Sequence, residues 1–121
     1  MRTKLSVHHE GATYVVRLTE HQRSAVSSAL LFMRDRSGSE ALALQLGCSR
    51  EFLGEIYRRV DENQQNGWSI EALHVIHAAL SSIGNLFASE EDFYIRLGFF
   101  RENSAAMAVS LVDAITACRV E

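Results

Sequence analysis

The sequence predicts a mostly helical domain of the α+β class, in which a short N-terminal β-hairpin precedes two related three-helix units. Residues 4–18 alternate apolar and polar side chains, as a half-buried hairpin does, and apolar residues then recur every three or four positions in six segments. A Leu-Gly-x-x-Arg-Glu motif also occurs twice. The 121 residues fit one domain, 1–121, with helical units at 19–66 and 68–120.

The hairpin is predicted from strict alternation on both sides of a glycine. Leu5 and Val7 alternate with polar residues, Tyr14 and Val16 do the same on the return, and Gly11 can take the positive φ of the turn. A lone two-stranded ribbon is marginal in water. The hairpin should therefore pack on the helices, or pair with the hairpin of a second copy to make a homodimer with a four-stranded sheet.

The first two helices have clear start signals. Thr19 and Gln22 form a capping box for a helix that runs to about Arg34. Ser39 is predicted as the N-cap of a short second helix, which Gly47 ends. The residues expected on the buried side of this second helix are Leu42, Ala43 and Leu46.

The third and fourth helices meet at a polar junction. Ser49 is predicted to cap a helix that runs to about Gln64. Ser69 is predicted to cap the fourth helix, with Trp68 and Leu73 placed for a hydrophobic staple across its start.

The fifth and sixth helices complete the second unit. Ser89 caps a short helix that Gly98 ends, and the last helix runs from about Arg101 to Val120. The buried stripe predicted for the last helix consists of Ala108, Leu111, Val112 and Ile115.

The repeated motif relates the two units. Leu46-Gly47-Cys48-Ser49-Arg50-Glu51 aligns with Leu97-Gly98-Phe99-Phe100-Arg101-Glu102, at an offset of 51 residues (97 − 46). Each unit reads as a long helix, a short helix that ends at glycine, and a further helix. Two such units can pack face to face and bury both apolar stripes, so the motif is interpreted first as a means of building a core.

The same segment also suggests an alternative function. Residues 39–60 resemble a helix-turn-helix, in which Ala43 would let the two helices cross closely. The residues that would then reach DNA are Arg50, Arg58 and Arg59. Glu51 and Glu55 on the same helix would face phosphate, and the second unit has Tyr94 where the first has Ala43. DNA binding is therefore the second hypothesis.

Catalytic and metal-binding patterns are weak. Glu71, His74 and His77 share one helix face, but a second such set, which a carboxylate-bridged metal bundle needs, is missing from the sequence. The sequence has neither a nucleophile elbow nor a glycine-rich phosphate loop. We therefore predict no enzyme activity, no catalytic residue, no cofactor and no metal, with Cys48 and Cys118 as reduced, packed thiols.

The bulk properties favour a protein partner. The net charge is −3, which disfavours a protein held mainly by phosphate contacts and suits a basic partner. In size, acidity and lack of catalytic motifs the chain resembles small bacterial immunity proteins, and this resemblance implies a non-catalytic module that binds and blocks another protein. No apolar run approaches a membrane span, so a cytoplasmic protein is expected. The residues predicted to contact the partner are Glu90, Glu91, Asp92, Phe99 and Phe100.

Overall fold

The structure, a computed structural model, describes residues 1–118 and confirms the predicted fold class. Within these residues it contains six α-helices and one antiparallel two-stranded hairpin. The predicted end of the last helix at Val120 lies outside the described residues. The elements are β1 (Ser6–Glu10), β2 (Thr13–Arg17), α1 (Glu20–Arg36), α2 (Ser39–Leu46), α3 (Arg50–Asp61), α4 (Ile70–Ser82), a 3₁₀ turn (Ile83–Leu86), α5 (Glu90–Leu97) and α6 (Arg101–Ala117).

The hairpin is extended by the junction between the two helical units. Val7 lies opposite Val16, and Gly11 has the positive φ (62°) that the turn requires. On the far side of β2, the backbones of Tyr14 and Trp68 exchange two hydrogen bonds of 2.9 Å. The outer edge of β2 is therefore covered by the junction and does not face solvent.

The outer edge of β1 is covered by α6. The Leu5 N–H donates to Ser110 Oγ at 2.8 Å, and the Cys118 thiol donates to the Val7 carbonyl at 3.1 Å. A helix laid over a strand edge is a common protection against edge-to-edge pairing. The predicted homodimer through the hairpin would have to displace these two side chains before a second hairpin could add to the sheet.

The residues predicted to cap the N-termini of the helices largely do so. The Thr19 hydroxyl accepts the Gln22 N–H, and the Gln22 amide oxygen accepts the Thr19 N–H, so the capping box forms. The buried Gln22 amide nitrogen also donates to the carbonyls of Arg2 and Lys4, at 3.0 Å each, which fastens the N-terminal segment to α1. Helix α2 differs in one detail, since Gly38 is its N-cap and Ser39 its first helical residue.

Arg101 of α6 passes close to the 3₁₀ turn that follows α4. A Cβ atom added at Gly84 would lie 2.9 Å from Cγ of Arg101. Glycine at this position therefore lets the Arg101 stem pass directly over the backbone.

The two units have the same order of helices at nearly the same spacing. Helices α2 and α5 begin 51 residues apart (90 − 39), as do α3 and α6 (101 − 50), and α1 and α4 begin 50 residues apart (70 − 20). Helices α1 and α4 pack against each other at the centre, with α3 on α1 and α6 on α4. Each short helix packs on the long helix of the other unit, α2 on α4 and α5 on α1.

The arginine of the repeated motif holds the same turn in both units. Arg50 Nη1 donates to the carbonyls of Ser37 (2.7 Å) and Arg34 (2.9 Å), just at the end of α1. Arg101 Nη2 donates to the Phe87 carbonyl at 3.3 Å, and Phe87 stands 50 residues after Ser37. Both arginines thus satisfy carbonyls that a helix end leaves without an internal partner.

Two residues predicted to be buried face solvent. Ala43 is exposed on α2, and Val112 on α6 is 48% exposed. Helix α6 buries its face through Ser104, Met107, Ala108 and Leu111, at positions i, i+3, i+4 and i+7. Val112 stands one residue past Leu111, so the helix turns it away from the core.

Candidate protein-binding surface

The acidic first turn of α5 is exposed but does not act as a unit. The Ser89 hydroxyl accepts the Asp92 N–H, which confirms the predicted N-cap. Glu90 has an internal role, because its carboxylate accepts the Arg101 N–H at 2.8 Å and lies 3.9 Å from Arg101 Nε. Within residues 1–118 no cation lies at ion-pair distance from Glu91 or Asp92. These two carboxylates are the ones available to a partner.

Phe99 does not belong to the candidate surface, because its side chain is only 5% exposed and fills the core. Its ring meets Phe93 edge to face, with centroids 5.3 Å apart. Gly98 adopts a left-handed conformation (φ 82°), as does Gly47 (φ 70°), and in both units the next residue turns inward. Cys48, which follows Gly47, is buried in the same way. The alignment of Phe99 with Cys48 was the sequence signal that could have placed it in the core.

Phe100, a contact candidate, is exposed, and it has a neighbour that the sequence did not single out. Its ring stacks on Tyr94 with centroids 4.7 Å apart, and both side chains are about half exposed. Ile95, next to Tyr94 on α5, is 69% exposed. We call the surface formed by Tyr94, Ile95 and Phe100 with Glu91 and Asp92 the α5 patch.

The aromatic pair of the α5 patch has no counterpart in the first unit. At the offset of 51 residues, Tyr94 corresponds to Ala43, and Phe100 corresponds to Ser49. The Ser49 hydroxyl caps α3 by accepting the Phe52 N–H at 3.1 Å, whereas the N-cap of α6, Phe100, makes no such side-chain hydrogen bond. An N-cap of this kind contributes roughly 0.5–2 kcal/mol. In the second unit this position displays an aromatic ring to solvent, and Glu90 of α5 instead accepts the Arg101 N–H at the start of α6.

The three arginines of the DNA-binding hypothesis do not form a free basic face. Arg50 is bonded to the end of α1. Arg58 pairs with Glu62 at 2.9 Å. The Arg59 guanidinium lies 3.9 Å from the centre of the Trp68 ring and donates to the Asn66 carbonyl.

The surroundings of these arginines also disfavour phosphate. The exposed side chains of α3 include Glu51, Glu55 and Asp61, which would repel a phosphate backbone. Ala43 is exposed and does not lie at a close helix crossing, so the feature that suggested a helix-turn-helix has no packing role in this fold.

The histidines and cysteines do not form a metal centre. In the part of the chain that the structure describes, no group of three or more His, Cys, Asp or Glu side chains is placed to hold a metal ion. His74 and His77 line a groove of about 250 Å³ between α4 and α6, among apolar side chains such as Ile70 and Ile115.

The described residues contain no helix with the length and hydropathy needed to cross a membrane.

Burial raises the pKa of the Cys48 thiol, so the reactive thiolate is scarce near neutral pH. We expect Cys48 to react with iodoacetamide at least roughly tenfold more slowly in the native protein than in urea. Mass spectrometry of alkylated peptides measures this, with Cys118 of the same chain as the internal reference. Equal alkylation rates at Cys48 in native and unfolded protein would contradict the prediction.

Comparisons of the chain with protein-family models, curated proteins and solved structures give no match.

Proposed function

We propose that the protein is a non-catalytic binding module that recognises a basic partner protein through the α5 patch. The observation that carries this proposal is the stacked pair of Tyr94 and Phe100, which is exposed at the start of α6 where the first unit has a small residue and a capping serine. Stacked aromatic rings that contribute little to the core are typical anchors of protein interfaces.

The charge around the aromatic pair indicates the class of partner. Glu91 and Asp92 lie on the same short helix as Tyr94 and Ile95, and they are not neutralised within the described residues. Unpaired carboxylates at the rim of an apolar surface attract a cationic partner and repel an acidic one. A basic protein with an exposed apolar group fits both features of the patch.

An inhibitory role agrees with the general resemblance to bacterial immunity proteins. Such a protein acts by covering a surface of its target, and it needs a rigid apolar anchor with a charged rim rather than a catalytic pocket. Helix α5 provides a rigid support, because Phe93 and Leu97 fasten it to the core from the opposite side.

The test is site-specific photo-crosslinking in extracts of the source organism. A photoreactive phenylalanine analogue replaces Tyr94 in one variant and Leu44 in a matched control. Leu44 is the better exposed of the two (89%) and lies on α2, the helix that corresponds to α5. We expect a basic protein to crosslink at position 94 and not at position 44. Equal crosslinking at both positions would contradict the proposal.

Binding measurements with the crosslinked protein then test the patch quantitatively. We expect Tyr94→Ala and Phe100→Ala each to weaken binding at least roughly tenfold, as loss of an aromatic anchor does, and Leu44→Ala to leave it unchanged. Glu91→Gln with Asp92→Asn should mainly slow association and reduce its dependence on salt. An affinity that none of these substitutions changes would place the interface elsewhere.

A further inference from the structure

The outer face of α6 is largely apolar over about three turns. Its exposed positions include Ala105, Val109, Val112 and Thr116, and Val109 is 60% exposed. Between Glu102 and Thr116 the only charged residue exposed on α6 is Asp113. Because the inner side of α6 is also apolar, the helix is hydrophobic almost all round, a pattern typical of helices that are covered on every side.

The corresponding helix of the first unit, α3, shows that the fold does not require an apolar outer face. At the offset of 51 residues, Val109 corresponds to Arg58 and Val112 corresponds to Asp61. Arg58 is exposed and pairs with Glu62, as expected of a helix face in water. Two helices at matching positions in the chain thus present opposite surfaces, one charged and one apolar.

We infer that the α6 face, formed by Ala105, Val109, Val112 and Thr116, is the interface of a two-fold symmetric homodimer. The positions follow i, i+4, i+7 and i+11, the heptad spacing with which one helix packs along another, and two-fold symmetry makes the pair antiparallel. Around a two-fold axis midway along this stripe, Val109 meets Val112 of the second copy, and Ala105 meets its Thr116. Both contacts occur twice, so the face is complementary to itself.

The grooves beside α6 suit this packing. Val109 borders a groove of about 820 Å³ between α6 and β1, and Val112 borders the groove of about 250 Å³ between α6 and α4. When two helices pack, the ridge of side chains on one enters a groove beside the other. The α6 face is such a ridge with a groove on each side, so it can pack against the same helix of a second copy. A helix face ~16 Å long and ~10 Å wide covers roughly 160 Å², while stable interfaces bury about 800 Å² per partner. The groove walls on β1 and α4 must therefore take part.

Charge distinguishes a second copy from a foreign partner on this face. The groove beside β1 contains Lys4, His8 and His9 together with Asp113, so both signs are present and two copies can complement each other. The α5 patch carries carboxylates alone, and two copies would repel each other there. The α6 face is therefore assigned to the second copy, and this inference does not depend on the binding function of the α5 patch.

Sedimentation equilibrium of the purified full chain tests the dimer. We expect the wild type to dimerise at micromolar concentration, and Val109→Lys with Val112→Lys to weaken dimerisation roughly a hundredfold or more, because four lysines would meet at the axis. The matched control carries Arg58→Lys and Asp61→Lys, the same side chains at the corresponding positions of α3, and should dimerise like the wild type. Circular dichroism of each variant checks its fold.

Chemical crosslinking tests the register without depending on the lysine variant. Ala105→Cys with Thr116→Cys puts two thiols about 16 Å apart along one helix, too far for a disulfide within a copy. Oxidation should give disulfide-linked dimers in higher yield than for the wild type. A monomeric wild type, or a dimer that survives both lysines on α6, would overturn the inference.

Discussion

We expect Phe93→Ala to lower the free energy of unfolding by about 3–5 kcal/mol, the usual range for deletion of a buried ring. Phe93 is fully buried, and its ring meets Phe87 and Phe99 edge to face at 5.1 and 5.3 Å. Phe93 joins α5 to the core, so the substitution leaves a cavity between them and removes the side-chain contacts that hold α5 in place. Domains of this kind are stable by about 5–15 kcal/mol in total.

The neighbouring residue is the control for this prediction. Tyr94→Ala changes a side chain of similar size on the same helix, but Tyr94 is about half exposed and contacts the Phe100 ring at the surface. We expect it to cost less than about 1 kcal/mol. Urea denaturation followed by circular dichroism measures both. Similar losses of unfolding free energy for Phe93→Ala and Tyr94→Ala would contradict the placement of Phe93 on the buried face of α5 and of Tyr94 on its exposed face.

Arg50→Ala is expected to lower the free energy of unfolding by about 1.5–3 kcal/mol, because it removes two charge-assisted hydrogen bonds and leaves their carbonyls unpaired. The guanidinium donates to the carbonyls of Arg34 and Ser37, where α1 ends and the chain turns toward α2. Arg50, which would contact DNA in a helix-turn-helix, therefore joins the end of α1 to α3.

Arg58→Ala is the matched comparison on the same helix. Its pair with Glu62 is exposed on both sides, and exposed pairs contribute about 0–1 kcal/mol. We expect urea denaturation to show a clear loss for Arg50→Ala and a small one for Arg58→Ala. If Arg50→Ala were as mild as Arg58→Ala, the motif arginine would have no structural role and would again be available as a contact residue.

Local signals predicted most of the fold. Each of these signals lies within a few residues of sequence. The capping box at Thr19 and Gln22 forms as expected, and the glycines at 47 and 98 end their helices as expected. The close passage of Arg101 across Gly84, in the 3₁₀ turn after Ser82, could not be predicted. Such an approach between distant parts of the chain leaves no local pattern.

The candidate surface was only partly predictable for the same reason. Apolar periodicity tells the inner face of a helix from the outer face only when the two differ in polarity. Helix α6 is apolar on both, so Val112 was placed inside although it is exposed. The sequence left open whether Phe99 and Phe100 lie in the core or on the surface, and the structure buries Phe99 and exposes Phe100. Tyr94 and Ile95 are exposed because Phe93 and Leu97 face the core and so set the rotation of α5.

The pairing of Tyr14 with Trp68 sets an order for folding during synthesis. The two residues are 54 positions apart (68 − 14), and their backbones exchange both hydrogen bonds of the bridge. A hairpin alone is marginal, and a contact this far apart in the chain forms only after the loop between its ends has closed. While the ribosome has released only the first unit, the hairpin lacks its bridge to Trp68, which belongs to the start of the second. The hairpin therefore gains its last contacts only as the second unit is completed, when Ser110 and Cys118 of α6 cover the edge of β1.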